Sequence, residues 1–211
     1  MRAYVANSIR VSLVMIVVIT FFACAFCDKI LRIVNTPREI FDDAYTFLLL
    51  QFLAIPFTLT FNLFAGYIRA LGNSRQPFLF LIISSFVNIL LDVLLILILG
   101  MGVAGAGLAT LLSQLFASIL SVWYVARHMT MLIPHGDERA FDNKRVSILL
   151  NNGIPRGLQV SITAIGIILL QSSNNALGTV YVASFTAAVR IKYLFIFAFD
   201  NIGVAMVTYC G

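Results

Sequence analysis

Residues Gln76–Met101 read QPFLFLIISSFVNILLDVLLILILGM, an apolar stretch whose only charge is Asp92. A run of about 20 apolar residues is long enough to cross a bilayer as a helix. A carboxylate near the bilayer centre costs about 2.5–3.5 kcal/mol on insertion scales. That cost makes Asp92 a candidate ion or substrate group, turned toward a protein interior rather than toward lipid.

The rest of the chain agrees with a membrane setting. Of its 211 residues, 61% are hydrophobic and 11% charged. Soluble domains hold roughly 25% charged residues, so a mainly soluble protein is excluded. The net charge of +5 comes from basic residues scattered over short segments, which is no footprint for nucleic acid. Such residues set membrane orientation instead.

Uncharged runs predict about six spans in an all-α, polytopic transmembrane bundle. They fall at Val11–Cys27 (from about Ala6 if lengthened), Ala44–Ile68 with a kink at Pro56, Gln76–Leu99 and Val103–Ala126. The long uncharged run 157–189 divides at the polar patch Gln171–Asn175 and Gly178. A fifth helix is therefore expected at Ile154–Ala176, and a sixth from Val182 toward Met206.

With the amino end inside, the inner segments carry Arg2, Arg10, Arg69, Arg75, Arg127, Arg139, Lys144, Arg145 and Arg156, against Lys29, Arg32 and Arg38 outside. The positive-inside rule then places both ends in the cytoplasm. Trp123 and Tyr124, just before Arg127, suit an inner-interface anchor. His128–Leu149 mixes charges of both signs with Gly and Pro and reads as a surface linker between two bundles. His128 and His135 are expected to be solvated. No cleavable leader is recognisable after Met1. Cys24 and Cys27 form a C-x-x-C within apolar sequence and read as helix packing, not as a metal or redox pair.

The intramembrane polar residues form two stripes. Ser85, Asn88 and Asp92 share one helical face, and Thr110, Ser113, Gln114, Ser118 and Ser121 line the next span. Facing one another, they would offer carboxylate, amide and hydroxyl oxygens. Hard cations prefer such ligands, and a carboxylate in low dielectric also takes up a proton. The serines fit equally well as interhelical contacts. Arg190, Lys192 and Asp200 put further charge in the sixth span, facing a wet cavity or another helix. No G-x-S-x-G, H-E-x-x-H or Walker A pattern occurs, so an enzyme is not expected.

The run Gly66–Gln114, with RALGNSRQP, NILLD and GMGVAGAGLAT…SQ in that order, closely resembles the multidrug and toxic compound extrusion (MATE) family. The resemblance continues through ILRIVNTPREI, GIPRGLQVSITAIG and AAVRIKYLFIFAFDNIGVAMVTYCG. It implies a two-lobe, twelve-helix transporter, of which this chain holds helices three to eight. Residues 1–127 would be first-lobe helices, 128–149 the cytoplasmic inter-lobe linker and 150–211 the start of the second lobe. The missing helices of the full-length chain would be its partners in the bilayer.

The implied activity is antiport at the cytoplasmic membrane: organic, often cationic, compounds leave in exchange for Na+ or H+, with no other cofactor. Asp92, Asn88 and Thr110 match three ligands of the first-lobe ion site, which would hold Na+ in a sodium-coupled member. Thr163 stands where other members carry a second-lobe glutamate, which points to first-lobe coupling. Gln159, Asn175, Arg190 and Asp200 are the candidate cavity residues. Two alternatives remain: a flippase for lipid-linked or polysaccharide precursors from the same superfamily, and a non-functional truncated membrane fragment.

Overall fold

The computed structural model describes residues 2–33, 36, 40–132, 143–175, 184–185, 187–193, 195–197, 199, 202 and 206, with the backbone alone at 156, 171, 172, 174 and 175. Among these residues there is no strand. Six α-helices run in order: α1 (Arg2–Ala25), α2 (Cys27–Ile33), α3 (Phe41–Ala70), α4 (Arg75–Asp92), α5 (Gly102–His128) and α6 (Asn143–Asn175). A π-helical segment, Val93–Ile98, continues α4, and a 3-10 turn, Thr130–Leu132, follows α5. Among the described residues, five helical stretches are long and apolar enough to cross a membrane: Arg2–Ala25, Phe41–Ala70, Arg75–Ile98, Gly102–His128 and Asn143–Leu170. Part of the sixth expected span lies outside the described residues; those described between 184 and 206 are helical.

Helix ends overrun the apolar runs. α1 starts at Arg2 rather than near Ala6, and α6 starts at Asn143, eleven residues before Ile154. Polar side chains sustain backbone hydrogen bonds as well as apolar ones do, so hydropathy marks membrane depth and not helix length. Pro56 lies inside an uninterrupted α3. Its ring removes one N–H from the ladder, and Thr60 Oγ1 donates to the Pro56 carbonyl at 2.7 Å just beyond it. Cys24 and Cys27 do not share one helix: α1 ends at Ala25, and Cys27 opens α2, fully buried as a free thiol.

By packing, the chain divides into Met1–Asn151 and Asn152–Gly211. In the first unit α5 is the central helix. It packs most extensively on α3, then on α4 and the π segment, while α1 packs on α3. The buried residues of α5 are Gly105, Gly107, Ala109, Ser113, Ala117, Ser118, Ser121 and Val125, all but the last being Gly, Ala or Ser. Lipid tails are as apolar as leucine, so helices in a bilayer gain by close approach of small residues, not by hiding apolar surface from water. In the second unit every side chain described from Asn152 to Leu170 is exposed.

The RALGNSRQP segment connects α3 to α4. Gly72, at φ +85°, closes α3 with two backbone bonds, Gly72 N–H to Arg69 O (2.9 Å) and Asn73 N–H to Ile68 O (3.2 Å). This is a Schellman motif, and it needs a left-handed residue at Gly72. Asn73 then uses both ends of its amide: Oδ1 accepts from Gln76 N–H at 3.3 Å, and Nδ2 donates to the Tyr124 hydroxyl at 3.2 Å. Asn73→Ala loses both the α4 cap and the tie to α5. Its expected cost is about 1–2 kcal/mol, measured as a lower unfolding midpoint in detergent.

The exposed Arg32–Asp28 pair on α2 is the opposite case. Its 2.8 Å hydrogen bond holds the Asp28 carboxyl below its usual range. Any stability from that depressed pKa is present above the ordinary carboxylate range and is lost as pH falls through the folded value. With both side chains in solvent, Asp28→Asn is expected to leave the unfolding midpoint unchanged at neutral pH.

Candidate functional site

Asp92 is the last residue of α4, and the helix changes character immediately after it. The Val93 N–H is still shared between Ile89 O and Leu90 O, as in an α or 3-10 turn. Leu99 N–H then bonds Leu94 O at 3.0 Å, five residues back, and Met101 N–H bonds Leu95 O at 3.0 Å, six back. The ladder therefore slips progressively beyond the carboxylate. π turns inside α-helices occur often at functional sites.

The slip has a seat on α5. A Cβ at Gly105 would lie 3.2 Å from both the carbonyl carbon and the oxygen of Leu95, and 3.1 Å from Met101 Cβ. Gly100 and Gly102, at φ +63° and +55°, turn the chain between the two elements. Non-glycine residues rarely adopt that conformation.

One turn before Asp92, Asn88 is half-buried with its Nδ2 enclosed and without a hydrogen-bond partner. Leaving a buried polar group unpaired costs about 1–3 kcal/mol. Thr110, also half-buried, donates its hydroxyl to Ala106 O at 3.0 Å, which leaves the oxygen lone pairs free. Asp92 is half-buried, whereas Ser85, the third member of its face, is exposed.

The two expected stripes are thus only partly realised. Ser113 bonds Thr110 O at 2.9 Å, and Ser121 bonds Ala117 O at 2.6 Å, so these buried hydroxyls serve their own helix. Among the described residues no hydrogen bond joins Asn88, Asp92 and Thr110. No cluster of three His, Cys, Asp or Glu side chains occurs among them either. A cation site here would rest on one carboxylate and neutral oxygens.

The other candidates are dispersed. Gln159 and Thr163 lie exposed on α6, the threonine hydroxyl donating to Gln159 O at 3.2 Å. Asn175 ends α6, and Arg190 is helical and exposed. Asp200 and His135 lie outside the described residues. His128 stacks on Tyr124 with centroids 4.6 Å apart, part of the aromatic group at the end of α5. An apolar cavity of about 240 Å³ between α1, α3 and α5 is lined by Val5, Ile9, Phe64, Tyr67 and Val125 among others. Tyr67 hydroxyl pairs with Ser8 Oγ at 2.5 Å, so this cavity offers no free ionic ligand.

Sequence reasoning singled out Asn88, Asp92 and Thr110 but missed the π segment and Gly105. VLLILI is uniformly apolar and carries no period to betray a change of pitch. The one available signal was GMGVAG, whose three glycines each have a geometric reason.

Long apolar helices, small-residue contacts and an ionisable group within a span define a multi-pass membrane protein of the transporter type. Comparison with known proteins makes the class specific. The MatE family model matches residues 1–94. The chain is 33% identical over 164 residues to the probable multidrug resistance protein YpnP of Bacillus subtilis, covering 78% of this chain and 36% of that one. It is 26% identical over 189 residues to the multidrug export protein MepA of Staphylococcus haemolyticus, covering 89% and 42%. Among solved structures, an inward-facing multidrug resistance MATE family transporter of the MOP superfamily superposes with a TM-score of 0.80 at 26% identity, over 90% of this chain and 44% of that one. A MATE structure in the bent conformation gives 0.77 at 26% identity, over 90% and 43%.

The chain belongs to the MATE family, whose members are transporters and not enzymes. It spans about two fifths of the length of the relatives it matches.

Proposed function

We propose that the whole protein is a secondary antiporter that exports organic, often cationic, compounds in exchange for Na+ or H+. The observation that carries this reading is Asp92, the only acid in the Arg75–Ile98 span, half-buried and one turn from Asn88 on the same face. The relatives' names, multidrug resistance and multidrug export, support the substrate class.

Asp92 supplies the charge that holds a cation or accepts a proton. Asn88 and Thr110 supply neutral oxygens of the kind Na+ takes. Gln159, Asn175, Arg190 and Asp200 are assigned to the substrate cavity. The division stays as the sequence suggests: first-lobe helices to 127, a cytoplasmic linker over 128–149, and the second lobe from 150. The positive-inside bias orients both ends of the chain toward the cytoplasm of the plasma membrane. Coupling requires the ion and the exported compound to differ in affinity for the two states of the transporter.

The test is efflux from vesicles holding the full-length protein, with Na+ and pH gradients imposed separately. Export that follows one gradient names the coupling ion. Export indifferent to both removes the antiport reading and favours the flippase. Within the ion site, Thr110→Val keeps the volume but removes the oxygen, and about a tenfold higher half-saturating ion concentration is expected. An unchanged ion dependence takes Thr110 out of the ligand set.

A further inference from the structure

We propose that the π segment Val93–Ile98 is a two-register element that positions Asp92 and is biased by the ion it binds. The inference rests on Asp92 being the coupling residue and adds the part that moves.

An α-helical continuation of α4 would need none of the accommodations seen here. The ladder would stay at four residues, Met101 N–H would not reach back to Leu95 O, and Leu95 would turn away from α5. Instead the backbone slips to five and then six residues straight after the carboxylate. Leu95 is pressed, backbone first, onto a residue with no Cβ. Two left-handed glycines absorb the offset before α5 begins. Gly105 is therefore a positioning residue: it admits the π register, and that register fixes the azimuth of the Asn88–Asp92 face relative to α5.

Asn88 stands one turn before Asp92 on the same face, with its Nδ2 enclosed and without a hydrogen-bond partner. Charge neutralisation at Asp92 changes the desolvation cost of that face, and therefore which register is preferred. A ligand shifts such an equilibrium only by its differential affinity for the two forms. The junction gives it two forms to distinguish. The glycine hinge carries the change to the amino end of α5.

The experiment uses the full-length transporter and deletes Leu97, which is 75% exposed, so that the segment loses its extra residue. The α register is then enforced. The expected result is normal elution and unfolding midpoint, retained drug binding, and a half-saturating ion concentration shifted about tenfold or more. Gly105→Ala, which crowds Leu95 without changing chain length, is expected to shift the same parameter in the same direction. In a third preparation, spin labels at Leu97→Cys and Val103→Cys report the distance across the hinge. It is expected to change on adding the coupling ion, and not to change in Asp92→Asn.

If the deletion does not fold, Gly105→Ala and the label pair decide. Wild-type ion dependence in either folded variant, or a label distance indifferent to the ion, overturns the proposal. Asp92→Asn separates the two levels. If efflux in that mutant still follows the ion gradient, the antiport assignment of Asp92 fails; if that coupling is lost while Gly105→Ala is normal, only the register inference fails.

Discussion

Asp92→Asn is expected to abolish ion-driven efflux while leaving the protein inserted and folded. The substitution keeps size and hydrogen-bonding shape and removes only the charge. Burying a carboxylate at bilayer depth costs about 2.5–3.5 kcal/mol, so the amide lightens the insertion cost and the unfolding midpoint should hold or rise. Function should go the other way. A neutral amide neither takes a proton nor balances a cation, so an imposed gradient has nothing on which to act. Drug binding, which does not need the coupling ion's charge, should persist. Asn88→Ala is expected to be milder for coupling and, by removing a buried amide without a partner, neutral or slightly stabilising for the fold. The measurement is gradient-driven efflux alongside insertion and melting of the same preparations. Loss of insertion in Asp92→Asn would make the carboxylate a structural group and remove its coupling role.

The sequence was legible where one physical signal dominates. Uncharged runs located the first five long helices, because nothing but a bilayer tolerates them. Turn chemistry was legible in RALGNSRQP, where Gly72 and Asn73 do what those residue types do after a helix. Legibility ended where apolar composition is uniform. The break at Phe26 involves neither Gly nor Pro, and the passage from α to π after Asp92 leaves no trace in VLLILI.

The serine stripe is a subtler case. Its burial followed from period, but the direction of its hydroxyls did not. Ser113 and Ser121 had a choice between a neighbouring helix and their own carbonyls, and they took the nearer acceptors. The pair Asn88 and Asp92 was readable as one face. That the Asn88 amide nitrogen lacks a partner depends on every helix around it, which no single segment encodes.

Gly107→Ala is expected to be the most damaging single methyl in the first unit. A Cβ there would stand 2.9 Å from Leu50 Cδ1, 3.1 Å from Leu50 Cβ and 3.5 Å from Phe47 Cδ2. The Cδ1 end of the leucine can rotate aside, but its Cβ is fixed to the α3 backbone. The strain therefore passes to the α3–α5 contact itself, the most extensive pairing among the described helices. Overpacking of this kind costs about 1–3 kcal/mol, and a bulkier side chain costs more. Gly66 on α3 supplies the control. Nothing lies within 4 Å of a Cβ built there, so Gly66→Ala should be neutral or stabilise by about 0.5–1 kcal/mol through helix propensity alone. Leu50→Ala should rescue Gly107→Ala only in part in a double-mutant cycle, since the truncation removes Cδ1 but keeps the Cβ 3.1 Å away. Melting of the wild type, Gly107→Ala, Gly66→Ala, Leu50→Ala and the double mutant in one detergent decides the matter. If Gly107→Ala melts with the wild type, α3 and α5 do not approach at Gly107, and the small residues of α5 are not there to bring these helices together.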